Sequence, residues 1–211
     1  MHKKRTTVYV DGFNLYYGCL KNSTNKWLDL KKLFVSLLDD SHEILKIKYY
    51  TATISSRDGN LPSRLRQKYY LQAISHYIPE LEIHYGHYLM HEISAKVVNP
   101  PPEFAKIYKT EEKGSDVNLA LHVLNDAWQN TYDCAVLVSN DSDLAESLRL
   151  VKEHHKKLIG LVFPNTAPKR KPSRELSKHA DFIKHIRPHM LESSQLPNAI
   201  PNTEIYKPDA W

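Results

Sequence analysis

Four aspartates in this sequence occupy positions from which a folded chain can bring them together. Asp11 and the pair Asp141 and Asp143 each follow a short apolar run typical of a buried strand, and Asp116 opens an amphipathic stretch. Carboxylates packed closely repel one another, and one of them protonates unless a cation joins them. Hard oxygen ligands favour Mg²⁺ or Mn²⁺ over zinc. We therefore predict that the four aspartates form a divalent-metal centre.

Such a centre suits the hydrolysis of a phosphodiester bond. The cation activates water and neutralises charge on the attacked phosphate and on the leaving oxygen. Three further polar residues stand beside the aspartates, and we predict that they orient ligands or waters: Asn14, Ser139 and Asn140. Taken singly, an aspartate at a helix start is also explained as a cap or as a partner of the helix dipole. Only the coincidence of all four favours a metal.

The periodicity of apolar residues predicts strands alternating with helices. The predicted strands are 6–10, 44–54, 81–89, 133–138 and 157–163. The predicted helices are 30–38, 62–78, 115–128 and 141–153, with shorter ones at 13–20 and 173–178. This order is typical of an α/β fold with a mostly parallel sheet and helices on both faces. In such sheets the site forms outside the carboxyl ends of the strands, where these aspartates stand.

Bulk composition sets wider bounds. The chain has 211 residues, a formal net charge of +5 and a pI near 9.0, which weakly favours a polyanionic partner. No apolar run reaches the roughly 20 residues of a membrane helix, so we predict a cytoplasmic protein. We divide the chain into a catalytic domain at 1–165 and a basic, Pro-rich extension at 166–211 that packs on the domain or trails from it. Its densest basic run, 169–174, either guides RNA or is a solvated linker.

Five residues are candidates for holding a nucleic-acid substrate. Tyr16 and Tyr17 follow Asp11 closely, and exposed rings there would stack on bases. Arg57 and Arg64 lie after the second predicted strand, near the same sheet edge, and Lys113 precedes Asp116. Each of these cations would grip a phosphate or else belong to an ordinary solvated face.

Three segments together resemble a known family. Val8 to Gly18 (VYVDGFNLYYG), Lys113 to Leu124 (KGSDVNLALHVL) and Val136 to Leu144 (VLVSNDSDL) are similar to the three signatures of NYN domains. These are PIN-like ribonuclease domains, formerly grouped with the LabA/DUF88 proteins. The resemblance spans about residues 5 to 165. Leu144 stands where many relatives carry phenylalanine, which is a change in packing rather than in chemistry.

The resemblance implies a PIN-like Rossmannoid three-layer sandwich and a metal-dependent endoribonuclease. It implies that four carboxylates bind Mg²⁺ or Mn²⁺: Asp11, Asp116, Asp141 and Asp143. Asn14 and Ser139 match the asparagine and serine of the family pattern. The implied reaction cuts RNA, single-stranded or structured, and leaves 5′-phosphate and 3′-hydroxyl ends.

Two other classes of function stay open at this point. One is a regulator that keeps the fold and binds RNA or a protein without cutting. The other is a hydrolase acting on a small phosphate. DNA as the substrate and assembly as a homodimer are also open. An intact set of four clustered carboxylates favours the nuclease, because a pure binder gains nothing from them.

Overall fold

A seven-stranded sheet, in the order β4-β3-β2-β1-β5-β6-β7, forms the middle layer of the molecule. The computed structural model describes residues 3–54, 61–167 and 170–211. The strands are β1 (Lys4–Asp11), β2 (His42–Ala52), β3 (Leu81–Lys96), β4 (Phe104–Lys113), β5 (Cys134–Val138), β6 (Leu158–Phe163) and β7 (Phe182–His185). All neighbouring strands are parallel except β3 and β4, which pair antiparallel.

Helices connect the strands and cover both faces of the sheet. They are α1 (Gly12–Leu15), α2 (Leu30–Leu37), α3 (Leu61–Tyr77), α4 (Ser115–Trp128), α5 (Ala145–Leu150), α6 (Arg174–Ser177) and α7 (Pro188–Ser193). Tyr16–Leu20 and Val151–His155 continue α1 and α5 as π-helical turns, and Ser142–Leu144 is a 3₁₀ turn ahead of α5. The predicted helix 141–153 is therefore a composite of three helical types. No helix in the described part of the chain is both long and apolar enough to cross a membrane.

The alternation of side chains along β1 separates two apolar cores. Val8 and Val10 point into the core shared with α2 and α3. Tyr9, between them, points into the core formed with α4 and α5. Successive side chains of a strand face opposite ways, so one fully buried strand supplies both layers. The predicted three-layer α/β fold with a mostly parallel central sheet is confirmed.

The sequence reading missed one long strand and underestimated another. Strand β4 was not predicted, and β3 extends to Lys96 instead of ending near residue 89. The two strands pair from His87↔Lys113 to Lys96↔Phe104, forming an antiparallel ribbon whose side chains are mostly exposed. Because neither face is buried, the ribbon lacks the apolar alternation by which strands are recognised. A proline-rich segment, 97–103, joins its two strands.

The C-terminal residues also contribute to the fold. Strand β7 pairs with β6, although no strand was predicted there. Leu191, Leu196 and Ile200 are buried in the α2–α3 core, and Trp211 packs its ring against that of Trp27 at 6.2 Å between centroids. The described part of the extension thus packs against the sheet and its helices. The division of the chain at residue 165 stays a prediction.

Candidate functional site

The predicted site lies where the chain order of the sheet reverses. From β1 the chain continues to β2 on one side, and β5 lies on the other side of β1. The carboxyl ends of β1 and β5 are therefore neighbours, with Val10 opposite Val138. Ligands of open α/β sheets bind at such a switch point. Asp11 is the last residue of β1, and Ser139 directly follows β5.

Asp11 is held rigidly. It is 3% exposed and caps α1. Its Oδ1 accepts from the backbone N–H of Asn14 at 2.9 Å, and its Oδ2 accepts from Asn14 Nδ2 at 2.6 Å and Ser139 Oγ at 2.8 Å. Burial raises the pKa of the Asp11 carboxyl, while these hydrogen bonds oppose the rise. A carboxylate has about four acceptor positions, so Asp11 retains one, on Oδ1.

Asn14 and Ser139 connect Asp11 to the second acidic segment. Asn14 Oδ1 accepts from the backbone N–H of Asn140 at 3.2 Å, and Ser139 Oγ accepts from that of Asp141 at 3.1 Å. The predicted positioning role of these polar residues has a structural basis in this relay. One hydroxyl and one amide fix the distance between the ends of β1 and β5.

Asn140 also brings a distant segment to the site. Its Oδ1 accepts from the backbone N–H of Ser173 at 2.6 Å, and its Nδ2 donates to the carbonyl of Lys171 at 3.5 Å. Part of the basic run 169–174 therefore lies beside the acidic residues. Sequence spacing alone gives no indication of this contact, because more than thirty residues separate the partners.

Asp141 and Asp143 stand on the turn after β5. Asp141 accepts from the backbone N–H of Asp143 at 3.0 Å and caps the 3₁₀ turn. Asp141 is half-buried, whereas Asp143 is exposed. Asp141 therefore does act as a helix cap, the alternative role considered for it from the sequence. This role occupies one carboxylate oxygen and leaves the other without a hydrogen-bond partner among the described residues.

Asp116, in the first turn of α4, completes the predicted set. Burial, followed by the charges of Asp11, Asp141, Glu112 and Asp143, raises its pKa to about 6. These charges act on Asp116 because the structure places the four predicted aspartates near one another at one edge of the sheet.

Glu112 is a fifth carboxylate at this edge, and the sequence reading missed it. Its two oxygens accept from the backbone N–H and the hydroxyl of Ser115, at 3.1 and 2.7 Å. It lies on β4, the unpredicted strand. Its position four residues before Asp116 was the available signal.

None of these five carboxylates forms an ion pair with a Lys, Arg or His of the described residues. Within 3–54, 61–167 and 170–211, no three His, Cys, Asp or Glu side chains converge closely enough to enclose a metal ion as they stand. The donors are nevertheless the hard oxygens that Mg²⁺ and Mn²⁺ take, and they repel one another without a cation. The residue types fit the metal, although the side chains do not form a closed site. We call these residues, Asp11, Glu112, Asp116, Asp141 and Asp143, the acidic edge.

The predicted substrate-binding residues fall in different places. Tyr17 is 62% exposed, with Lys21 Nζ 4.8 Å from its ring centre, and Tyr16 lies edge-on to it at 5.4 Å. Lys113 Nζ pairs with Glu111 at 2.8 Å. Arg64 is exposed on α3. Arg57 lies outside the described residues.

The fold and the acidic edge together define a PIN-like α/β domain. The family model of the NYN domain matches residues 5–188. The chain belongs to the NYN domain family, within the PIN-like nuclease superfamily, whose members commonly use divalent metals. The resemblance noted from the three sequence segments is confirmed.

Two relatives bear on the interpretation. The 6-hydroxy-3-succinoylpyridine 3-monooxygenase HspA of Pseudomonas putida (strain DSM 28022 / S16) is 35% identical, over 98% of this chain and 75% of that protein. The crystal structure of a protein of unknown function, VPA0982 from Vibrio parahaemolyticus RIMD 2210633, superposes with a TM-score of 0.54 at 19% identity. It covers 88% of this chain and 94% of its own. The second match supports the fold alone.

Proposed function

We propose that this protein is a metal-dependent ribonuclease whose acidic edge holds Mg²⁺ or Mn²⁺. One observation carries the proposal. Five carboxylates lie at one edge of the sheet, where burial and the charges of the other four raise the pKa of Asp116 to about 6, and none of the five has an ion-pair partner among the described residues. A folded chain tolerates such repulsion where an external cation relieves it.

The residues have distinct roles in this proposal. The metal would be held by four carboxylates: Asp11, Asp116, Asp141 and Asp143. A divalent cation bound there would activate water and neutralise charge on the phosphate. Asn14 and Ser139 are positioning residues, since they fix the orientation of Asp11 and leave one of its acceptor positions open.

RNA is the proposed substrate because the family implies it and because basic residues lie on segments next to those of the acidic edge. The backbone of Lys171 is tied to Asn140, and Lys21 stands over Tyr17. Cations beside an acidic centre hold the remaining phosphates of a polyanion. The exposed rings of Tyr16 and Tyr17 provide stacking surfaces for bases.

A cleavage assay tests the proposal. Labelled single-stranded and structured RNA is incubated with the protein in Mg²⁺, in Mn²⁺ and in EDTA. The test variant is Asp141→Asn/Asp143→Asn. The matched control, Asp40→Asn/Asp209→Asn, removes two exposed carboxylates elsewhere. Circular dichroism is used to check that both variants are folded.

The nuclease is supported if cleavage requires metal and is retained in the control. Cleavage should also fall by at least about a hundredfold in the test variant. Intact RNA in every metal would contradict it. Bound but uncut RNA would instead favour the regulator. Rapid turnover of a nucleotide, with RNA left uncut, would favour the small-phosphate hydrolase.

The similarity to HspA favours a second candidate, an oxygenase of a small aromatic acid. The name of that relative describes oxygenation of a pyridine that carries a succinoyl group. Incubating this protein with 6-hydroxy-3-succinoylpyridine, O₂ and an electron donor tests this candidate by mass spectrometry. Incorporation of one oxygen atom from ¹⁸O₂ into a pyridine product, whether or not that product keeps the succinoyl group, and unchanged by the Asp141→Asn/Asp143→Asn variant, would separate this chemistry from the acidic edge.

A further inference from the structure

A groove separate from the acidic edge runs between α3 and the amino-terminal half of β3. Its volume is about 770 Å³, within the range of small-molecule and nucleotide sites. Gln67 closes it at the end of β2, where its amide donates to the carbonyl of Ala52 and accepts from the N–H of Ile54, both at 2.9 Å. These two bonds fix α3 against the sheet, so the groove is formed by ordered elements.

The α3 wall of the groove is cationic and polar. Arg64 and Lys68 lie one helical turn apart on the same face, and Gln72 and Ser75 continue that face. Both cations are exposed, and none of the ion pairs among the described residues involves either of them. No carboxylate is among the described residues that line the groove. The charge of this wall therefore favours an anion.

The β3 wall is aromatic. Tyr85 is 50% exposed, and Tyr88 lies further along the strand, while Leu71 and Ile83 supply apolar surface between the walls. Aromatic faces beside cations are the combination that single-stranded nucleic acid uses, with bases stacked on rings and phosphates on cations. A simple inorganic anion would contact the cationic wall and would make no use of the exposed ring of Tyr85.

The groove adjoins the acidic edge. Tyr88 contacts the ring of Phe13 at 6.3 Å between centroids, and Phe13 lies on α1 between Asp11 and Asn14. Gly86 lines the groove and is pressed against Glu112, since a Cβ added to this glycine would lie 2.2 Å from Glu112 Oε1. One extended ligand can therefore reach both places.

We propose that this groove binds the RNA nucleotides that flank the cleaved phosphate, with Arg64 and Lys68 on phosphates and Tyr85 under a base. The inference rests on the proposed function, because it names where the substrate of the acidic edge continues. It also explains why opposite charges lie side by side. The acidic edge would take the cation and the reacting phosphate, and the groove would take the phosphates that carry no metal.

Binding is measured apart from cleavage to test this. Fluorescent RNA oligonucleotides of increasing length are titrated in Ca²⁺ and in EDTA, at several salt concentrations. The groove variant is Arg64→Ala/Lys68→Ala, with Tyr85→Ala as a second variant. The control, Lys3→Ala/Lys157→Ala, removes the same charge at the opposite edge of the sheet, where β1 and β6 begin. Unfolding curves show that all variants are folded.

We expect the groove variant to bind RNA at least about tenfold more weakly. We also expect its salt slope to be smaller by about 1.4, the value for two lost single-strand phosphate contacts. Tyr85→Ala should weaken binding without changing that slope. The control should match the wild type in affinity and slope.

The outcomes separate the two proposals. If the wild type cuts RNA and the groove variant binds like the control, the groove inference is wrong and the ribonuclease stands. If RNA binds through the groove and is never cut, the groove is an RNA-binding site, but the ribonuclease is wrong and the groove flanks no cleaved phosphate. If RNA is neither bound nor cut, both are wrong.

Discussion

Helix α4 carries a carboxylate near each end, and the charged neighbours of the two carboxylates have opposite sign. Asp126, in its last turns, is 7% exposed and fully compensated. Its Oδ2 lies 2.6 Å from Lys48 Nζ and 2.7 Å from the hydroxyl of Tyr9. Asp116, in the first turn, has four carboxylates as its charged neighbours and a pKa raised to about 6. The same helix thus carries one carboxylate that is neutralised by the protein's own side chains and one carboxylate that has no such partner among the described residues.

The difference shows that the repulsion at the acidic edge is a local feature. At the buried end of α4, the fold supplies Asp126 with a lysine and a tyrosine. Where it gathers five carboxylates at the switch point, no described lysine or arginine pairs with them. The missing positive charge is best supplied by a ligand. Three predictions test this contrast.

The largest effect is expected at the compensated end of α4. Lys48→Met leaves Asp126 buried without its cation and should lower the free energy of unfolding by about 3 kcal/mol. The double variant Lys48→Met/Asp126→Asn should recover most of that loss, because no buried charge then remains. Urea unfolding followed by circular dichroism measures both.

Lys46→Met is the matched control for this experiment. Lys46 lies on the same strand and pairs with Glu82, but both side chains are more exposed. Its removal should change the free energy of unfolding by less than about 1 kcal/mol. Equal losses for Lys46→Met and Lys48→Met would mean that Asp126 is not a compensated buried charge, and the contrast with Asp116 would fail.

A smaller effect is expected when metal is added. Mn²⁺ at a hundred times its dissociation constant should stabilise the wild type by about 2.7 kcal/mol, because it binds only the folded protein. The Asp141→Asn/Asp143→Asn variant should lose this gain, and the Asp40→Asn/Asp209→Asn control should keep it. Thermal unfolding with and without EDTA gives the answer without any substrate. A gain that persists in the Asp141→Asn/Asp143→Asn variant would place the metal elsewhere.

The sequence predicted those parts of the site that depend on local pattern. Strand β1 and the bounds of α4 followed from apolar periodicity, and parallel strands bring their carboxyl ends to one edge. The prediction placed Asp11, Asp116 and Asp141 at one edge for this reason, and in the structure the charges of Asp11 and Asp141 act on Asp116. What the pattern cannot give is contact between segments distant in sequence.

Two features of the molecule show this limit. The contact of Asn140 with Ser173 depends on how the chain after β6 returns to the sheet. The groove needs α3 and β3 side by side, so Arg64 alone indicated only part of its cationic wall. Glu112 was missed for another reason, because the exposed ribbon that carries it has no buried face.

The smallest predicted effect is at Asp116, and it depends on pH in a defined direction. In the folded, metal-free protein the pKa of the Asp116 carboxyl is raised, chiefly by burial, to about 6, above the ordinary value of 3.8. The folded state therefore binds more protons than the unfolded state between these two values, and stability falls as the pH rises through them. Asp116→Asn should remove this loss of stability, because the asparagine side chain carries no charge. In EDTA near pH 7 it should stabilise the protein by about 1 kcal/mol, after allowance for solvent screening of this half-buried group.

The same variant is compared with the wild type under two further conditions, at low pH and in Mn²⁺. At about pH 2.5 the gain from Asp116→Asn should vanish, because this pH lies well below both pKa values and the carboxyl is protonated in both states. In saturating Mn²⁺ near pH 7 the sign should reverse, since the variant has lost a ligand and gains less from the metal. Urea unfolding across pH, with Asp209→Asn as an exposed control, measures all three conditions. A variant that destabilises the metal-free protein near pH 7 would show that Asp116 has a structural partner and does not stand ready for a cation.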